Sequence, residues 1–86
     1  MHPIYASLEA AAPSNVSEFL HTLFNQLYDI VKQSYDTPAE RKGIEDSVLS
    51  YYDKYIANTI PVPMQKTFRD SILSMLDAAL VYLAAQ

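Results

Sequence analysis

Glu18-Phe-Leu-His21 has a spacing that metal chemistry uses. In di-iron helical bundles a Glu and a His three residues apart project from one turn onto the metals. Such a centre needs the motif twice and two further Glu residues. Here the motif occurs once, and the other histidine is His2. The phase also disagrees: at about 100° per residue, Glu18 and His21 point away from the apolar line Val16, Leu20, Leu23 and Leu27. The expectation is a solvated pair and no metal. With no Cys in the chain, thiolate ligation, thiol catalysis and disulfides are excluded.

Nucleophilic chemistry finds no more support. Serines stand at Ser7, Ser14, Ser17, Ser34, Ser47, Ser50, Ser71 and Ser74, but the single glycine, Gly43, allows no Gly-x-Ser-x-Gly elbow and no Gly-rich phosphate loop. Glu45 and Asp46 are neighbours on a helical segment and diverge by about 100°, so they do not converge on one substrate as an acid and a base. The chain is expected not to be an enzyme and to hold no cofactor. Asn15-Val-Ser17 is formally a glycosylation sequon, but Asn15 already reads as a helix cap.

Seven tyrosines are many for 86 residues. Tyrosine offers apolar area with a polar tip and is enriched in binding hot spots. It also suits the boundary of a small core, with the ring inward and the hydroxyl wet. Tyr51 and Tyr55 share the core phase of their segment, which favours packing. Tyr52 and Tyr28 lie on stripe edges and are candidate partner contacts.

Four segments must carry these groups, and the apolar residues in each recur at three and four. A short helix is expected at about residues 3–12, with Pro3 in its first turn and Ile4, Leu8, Ala11 and Ala12 as its stripe. A second is expected at about 15–35. Asn15 and Glu18 read as a capping box, and Val16, Phe19, Leu20, Leu23, Phe24, Leu27, Ile30 and Val31 form the apolar face. A third, at about 38–58, starts with Thr37 as cap, Pro38 first and Glu40 completing the box. Its inner line is Ile44, Val48, Tyr51 and Tyr55, flanked by Leu49, Tyr52 and Ile56. Pro61 and Pro63 make a short rigid joint before a fourth helix at about 63–85. No segment alternates with period two. The expected fold is all-α: a small antiparallel bundle of three long helices, with the short N-terminal helix across one end or along a groove, in a single domain spanning residues 1–86.

The fourth helix is apolar around most of its circumference. Met64, Phe68, Ile72, Met75, Ala79 and Leu83 form a main stripe; Leu73, Leu76, Leu80 and Leu83 form a second seam, with Val81 beyond. Such a helix is buried on more than one side. Either it is the centre of the bundle or a partner covers one seam. On the second view Leu73, Leu80 and Tyr82, with Tyr52 and Tyr28, are the partner-binding residues.

Ten acidic side chains against six basic ones give a net charge of −4. Lys32, Arg41, Lys42, Lys54, Lys66 and Arg69 are scattered among acids, so direct nucleic-acid binding is not expected. No basic stretch precedes an apolar run at the N-terminus, and Ser74 and Asp77 interrupt the most apolar stretch; no membrane association and a cytoplasmic location are expected. The leading functional expectation is a non-enzymatic protein–protein interaction module, a homodimer or a small subunit of a larger complex, associating through the last helix. One alternative is a small acidic inhibitor of the phage or mobile-element type. It would block a nucleic-acid-handling enzyme with the outward acids Glu18, Asp29, Asp46 and Asp53. Another is a carrier of an apolar ligand between helices, with Met64, Met75 and the tyrosines lining the pocket.

Overall fold

The computed structural model describes residues 2–34 and 38–85, without the side chains of residues 31–34 and 84. The chain is all-α. In order come α1 (Ile4–Ala11), α2 (Val16–Ser34), α3 (Pro38–Tyr51), a π-helical turn (Tyr52–Ile56), a 3₁₀ turn (Ala57–Thr59) and α4 (Val62–Ala84). No strand occurs among the described residues. The Thr37 cap lies outside them, as do Tyr35 and Asp36, and the side chains of Val31 and Lys32.

Helix starts follow local chemistry. At α2 the Glu18 N–H donates to Asn15 Oδ1 at 2.9 Å, so Asn15 is the cap. The reciprocal half of the box is shifted by one residue: the Glu18 carboxylate accepts from the Ser14 hydroxyl at 2.6 Å and from the Ser14 N–H at 3.0 Å. The side-chain bond, and then the backbone one, hold the Glu18 carboxyl below its ordinary range. At its other end α1 stops at Ala12, in the left-handed conformation (φ 50°), whose N–H bonds back to the Leu8 carbonyl at 2.9 Å. Pro13 follows and cannot continue the helix.

The third helix does not run unbroken to residue 58. After Tyr51 the winding loosens into the π-helical turn, closed by the Ala57 N–H on the Tyr52 carbonyl. A wider turn brings side chains five apart onto one side. Tyr51, Tyr52 and Ile56 are therefore all buried, and Tyr55, expected on the inner line, is turned out to the surface. Thr59 Oγ1 donates to the Ile56 carbonyl at 2.7 Å. Gln65 Nε2 reaches back from α4 to the carbonyls of Ala57 (2.8 Å) and Ile60 (3.1 Å). Carbonyls left over at the helix end thus gain donors.

α1 and α4 each pack on both α2 and α3. One core joins every helix: Ile4 and Leu8 from α1; Phe19, Leu23 and Leu27 from α2; Ile44, Val48, Leu49 and Tyr51 from α3; Tyr52 and Ile56 from the π-helical turn; Ile60 from the joint; and Ile72, Leu76 and Leu80 from α4. Ala11 and Ala12, expected on the α1 stripe, are exposed.

Gly43 sits inside α3, and a Cβ added there would meet nothing within 4 Å. Gly43→Ala is therefore expected to raise stability by about 1 kcal/mol, through helix propensity and a less flexible unfolded chain. Urea denaturation followed by circular dichroism measures this.

Between α3 and α4, Glu45, Arg41 and Asp77 come together, with Arg41 Nη1 3.9 Å from Asp77 Oδ1. Glu45 Oε1 is buried without a hydrogen-bond partner. Burial first, then the hydrogen bond and negative charge of Asp77, push the Glu45 carboxyl above its ordinary 4.5, against the pull of Arg41. The folded state thus holds this proton more tightly than the unfolded one. The associated stability is present at low pH and is lost as pH rises above 4.5. Glu45→Gln removes the charge and keeps the shape. It is expected to stabilise the chain at pH 7 by about 0.5 kcal/mol, with the difference closing near pH 4. Denaturation midpoints of both proteins across that range check the sign.

Candidate interaction surface

Helical phase decides which apolar side chains the core uses and which it leaves. On α2, Phe19, Leu23 and Leu27 are buried. Gln26, on one flank of Leu27, reaches α1 through Gln26 Nε2 and the Ser7 carbonyl at 3.4 Å. Tyr28 is on the opposite flank, away from α1, with Phe24 one turn before it. α2 also packs on α4, and helical phase turns this flank away from α1. Phe24 is exposed there, and Tyr28 is 54% exposed.

On α4 the packed line is Ile72, Leu76 and Leu80. Arg69 marks the flank towards the α3 side: it makes a two-pronged pair with Asp53, with Nε 2.9 Å from Oδ1 and Nη2 3.1 Å from Oδ2. The hydrogen bond to Asp53 raises the Arg69 pKa further. Asp77 marks the same flank, beside Arg41. At about 100° per residue, Tyr82 falls on the other flank, towards α2. It is 66% exposed; Val81, also exposed, falls one turn after Asp77, away from α2.

The partner-binding residues expected from sequence are thus divided. Tyr28 and Tyr82 are on the surface. Leu80 is 0% exposed and Tyr52 1%, so both belong to the core of this chain and offer no area to another molecule. Leu73 is half-buried and packs against that core. The physical reason is that α4 touches both α2 and α3, so its buried face is wide and centred between the two expected seams. Met64, expected on the main stripe, is exposed. Phe24, expected on the inner face, occupies its exposed edge, and Val81, expected beyond the second seam, is exposed.

A second aromatic group lies at the junction of α1, α2 and the π-helical turn. Tyr51 packs on Phe19 (centroids 5.8 Å apart, planes 7°) and on Tyr55 (4.7 Å), with Tyr5 edge-on at 6.0 Å. The exposed Tyr55 hydroxyl donates to Glu9 Oε2 at 2.8 Å, tying the π-helical turn to α1. Lys54 Nζ lies 5.1 Å from the Tyr55 ring centroid. The cleft beside them, lined by Glu9, Ala12, Pro13, Ser14, Tyr51 and Tyr55, opens to solvent.

Glu18 and His21 are both on the surface. Glu18 is held by Ser14, and His21 Nε2 faces Asn25 Nδ2 at 3.4 Å. Among the described residues no three His, Asp or Glu side chains gather as a metal site would require. Among the described residues, no helix is long and apolar enough to cross a membrane. Set against protein-family models, curated proteins and solved structures, the chain matches none.

Proposed function

We propose that this chain is a non-enzymatic protein–protein interaction module, acting as a homodimer or as a small subunit of a larger complex. Its contact surface is the border of α2 and α4, with Phe24 and Tyr28 on one side and Tyr82 on the other. The observation that carries this reading is the exposure of two tyrosine rings, 54% and 66%, on helices that bury Phe19, Leu23, Leu27, Ile72, Leu76 and Leu80 in the core. Aromatic residues with a wet hydroxyl anchor interfaces well and cost little conformational entropy on binding.

The other readings draw less from the geometry. Asp46 and Asp53 lie against Lys42 and Arg69, and Glu18 against Ser14, which weakens the acidic field an inhibitor would present. Met75 lines a wide-open surface cleft with Thr67, Asp70, Ser71 and Ser74, while Met64 stands at the surface outside it, so the two do not frame an apolar pocket.

The test is the double variant Tyr28→Ser, Tyr82→Ser. Its midpoint of denaturation is expected to stay within about 0.5 kcal/mol of the parent, as for other surface changes. Its mass by light scattering, or its capture of a partner from the native host, is expected to collapse. A folded variant that keeps the parent's mass and partners would remove this surface from consideration.

A further inference from the structure

We propose that His2 is a proton-operated latch that fastens the first turn of α1 onto α3 when neutral and frees it when charged. The His2 main-chain N–H donates to Ser47 Oγ of α3 at 3.0 Å, and its ring Nδ1 accepts from the Ile4 N–H at 3.1 Å. One residue thus does two jobs. Its backbone ties the chain to the buried Ser47 hydroxyl, and its ring caps one of the N–H groups that a helix start leaves without a partner.

Accepting at Nδ1 requires the neutral ring with its proton on Nε2. A second proton would go to Nδ1 itself. It would then face the Ile4 N–H, donor against donor, and place a positive charge at the positive end of a helix. The cap is lost and the charge is repelled. Charged groups of two kinds act on the His2 ring. Glu40 of α3 favours the charged ring and the terminal amine opposes it, while Asp46 lies in the cleft that His2, Gly43, Ser47 and Ser50 also line. Burial outweighs Glu40 and holds the His2 pKa below its ordinary 6.5. A histidine shifted down in the folded state contributes stability above that value, which is lost as pH falls through the folded pKa. The residues beneath the latch are Ile4 and Leu8, both buried in the core. Release of this turn would therefore uncover apolar surface on α1 and on the faces of α2 and α3 that it covers, while the packing of α4 on α2 and α3 stays in place.

The experiment is hydrogen exchange of the Ile4, Tyr5 and Ser7 amides at pH 7.5 and pH 5, corrected for intrinsic rates, with core amides of α4 as the internal reference. Protection of the α1 amides is expected to fall about tenfold, the worth of one cap and an adverse helix-end charge, while α4 amides keep theirs. His2→Asn keeps a side-chain acceptor that does not titrate, and should abolish the pH dependence. A direct measurement stands beside it. In nuclear magnetic resonance the His2 ring and the Ile4 amide should titrate with one shared midpoint, below 6.5. A midpoint at or above that value, an Ile4 amide that does not move with the ring, or the same loss of protection in His2→Asn would overturn the proposal.

Discussion

Leu80→Glu is expected to leave the chain unfolded. Leu80 is fully buried on α4, in line with Ile72 and Leu76, where α4 packs between α2 and α3. A carboxylate at that place has neither water nor a partner, and burying an uncompensated charge costs more than several kcal/mol. A domain of this size has about 5–10 kcal/mol of stability in all. Truncation is the milder control: Leu80→Ala should remain folded and lose about 2–5 kcal/mol through lost burial and a residual cavity. Leu73→Glu should cost less than Leu80→Glu, because Leu73 is half-buried at the edge of the core and a longer side chain there can turn its head to water. Far-ultraviolet circular dichroism and urea titration separate the three. A folded Leu80→Glu that lost only its association would mean that Leu80 faces a partner and not this chain's own core.

That contrast shows what α4 did not reveal as a sequence. Its length and its start at the Pro61–Pro63 joint could be read, because proline punctuation and apolar recurrence act locally. Its phase could not. Met64, Leu73, Met75, Leu80, Val81 and Tyr82 are all apolar enough for a core, so periodicity alone gives no preferred face. The two neighbours of α4 make the choice. They bury Ile72, Leu76 and Leu80 and leave Met64 and Tyr82 outside. For α2 the polar residues are numerous enough to define the face, and Phe19, Leu23 and Leu27 were legible as core. Phe24, expected among them, is exposed at the margin.

The surface was legible only in part for a related reason. Tyr28 and Tyr52 look alike on a helical wheel, each at the edge of an apolar stripe. Tyr28 is on the surface because α1 covers the other flank of α2. Tyr52 is buried because the helix loosens at that residue and swings Tyr52 and Ile56 inward as Tyr55 swings out. No local signal marks a π-helical turn, since it is held by packing and not by propensity. Nor do the bonds that fix the ends have a period: Tyr55 to Glu9, His2 to Ser47 and Arg69 to Asp53 join residues far apart in the chain.

Tyr52 carries the second large expected effect, because it combines ring burial with a hydroxyl bonded to the first turn of α4. The ring is fully buried beside Phe19, with centroids 6.4 Å apart. Its hydroxyl donates to the Gln65 carbonyl in the first turn of α4 at 3.0 Å. Burial pushes its pKa up, with the charge of Asp53 acting in the same direction. Tyr52→Ala removes both contributions and is expected to cost about 3–5 kcal/mol, as large-to-small changes of core aromatics do. Tyr52→Phe keeps the ring and loses only the bond to α4, for about 1 kcal/mol. Gln65→Ala removes the donor that the Ala57 and Ile60 carbonyls share, at about 1–2 kcal/mol. Tyr52 and Gln65 hold the same joint from opposite sides, so the Tyr52→Phe, Gln65→Ala double variant should fall short of the sum. Urea midpoints of the four proteins give the coupling. Strict additivity, or a Tyr52→Ala variant as stable as the parent, would mean that the joint is held by its prolines and not by this contact, and that the π-helical turn has no stake in where α4 begins.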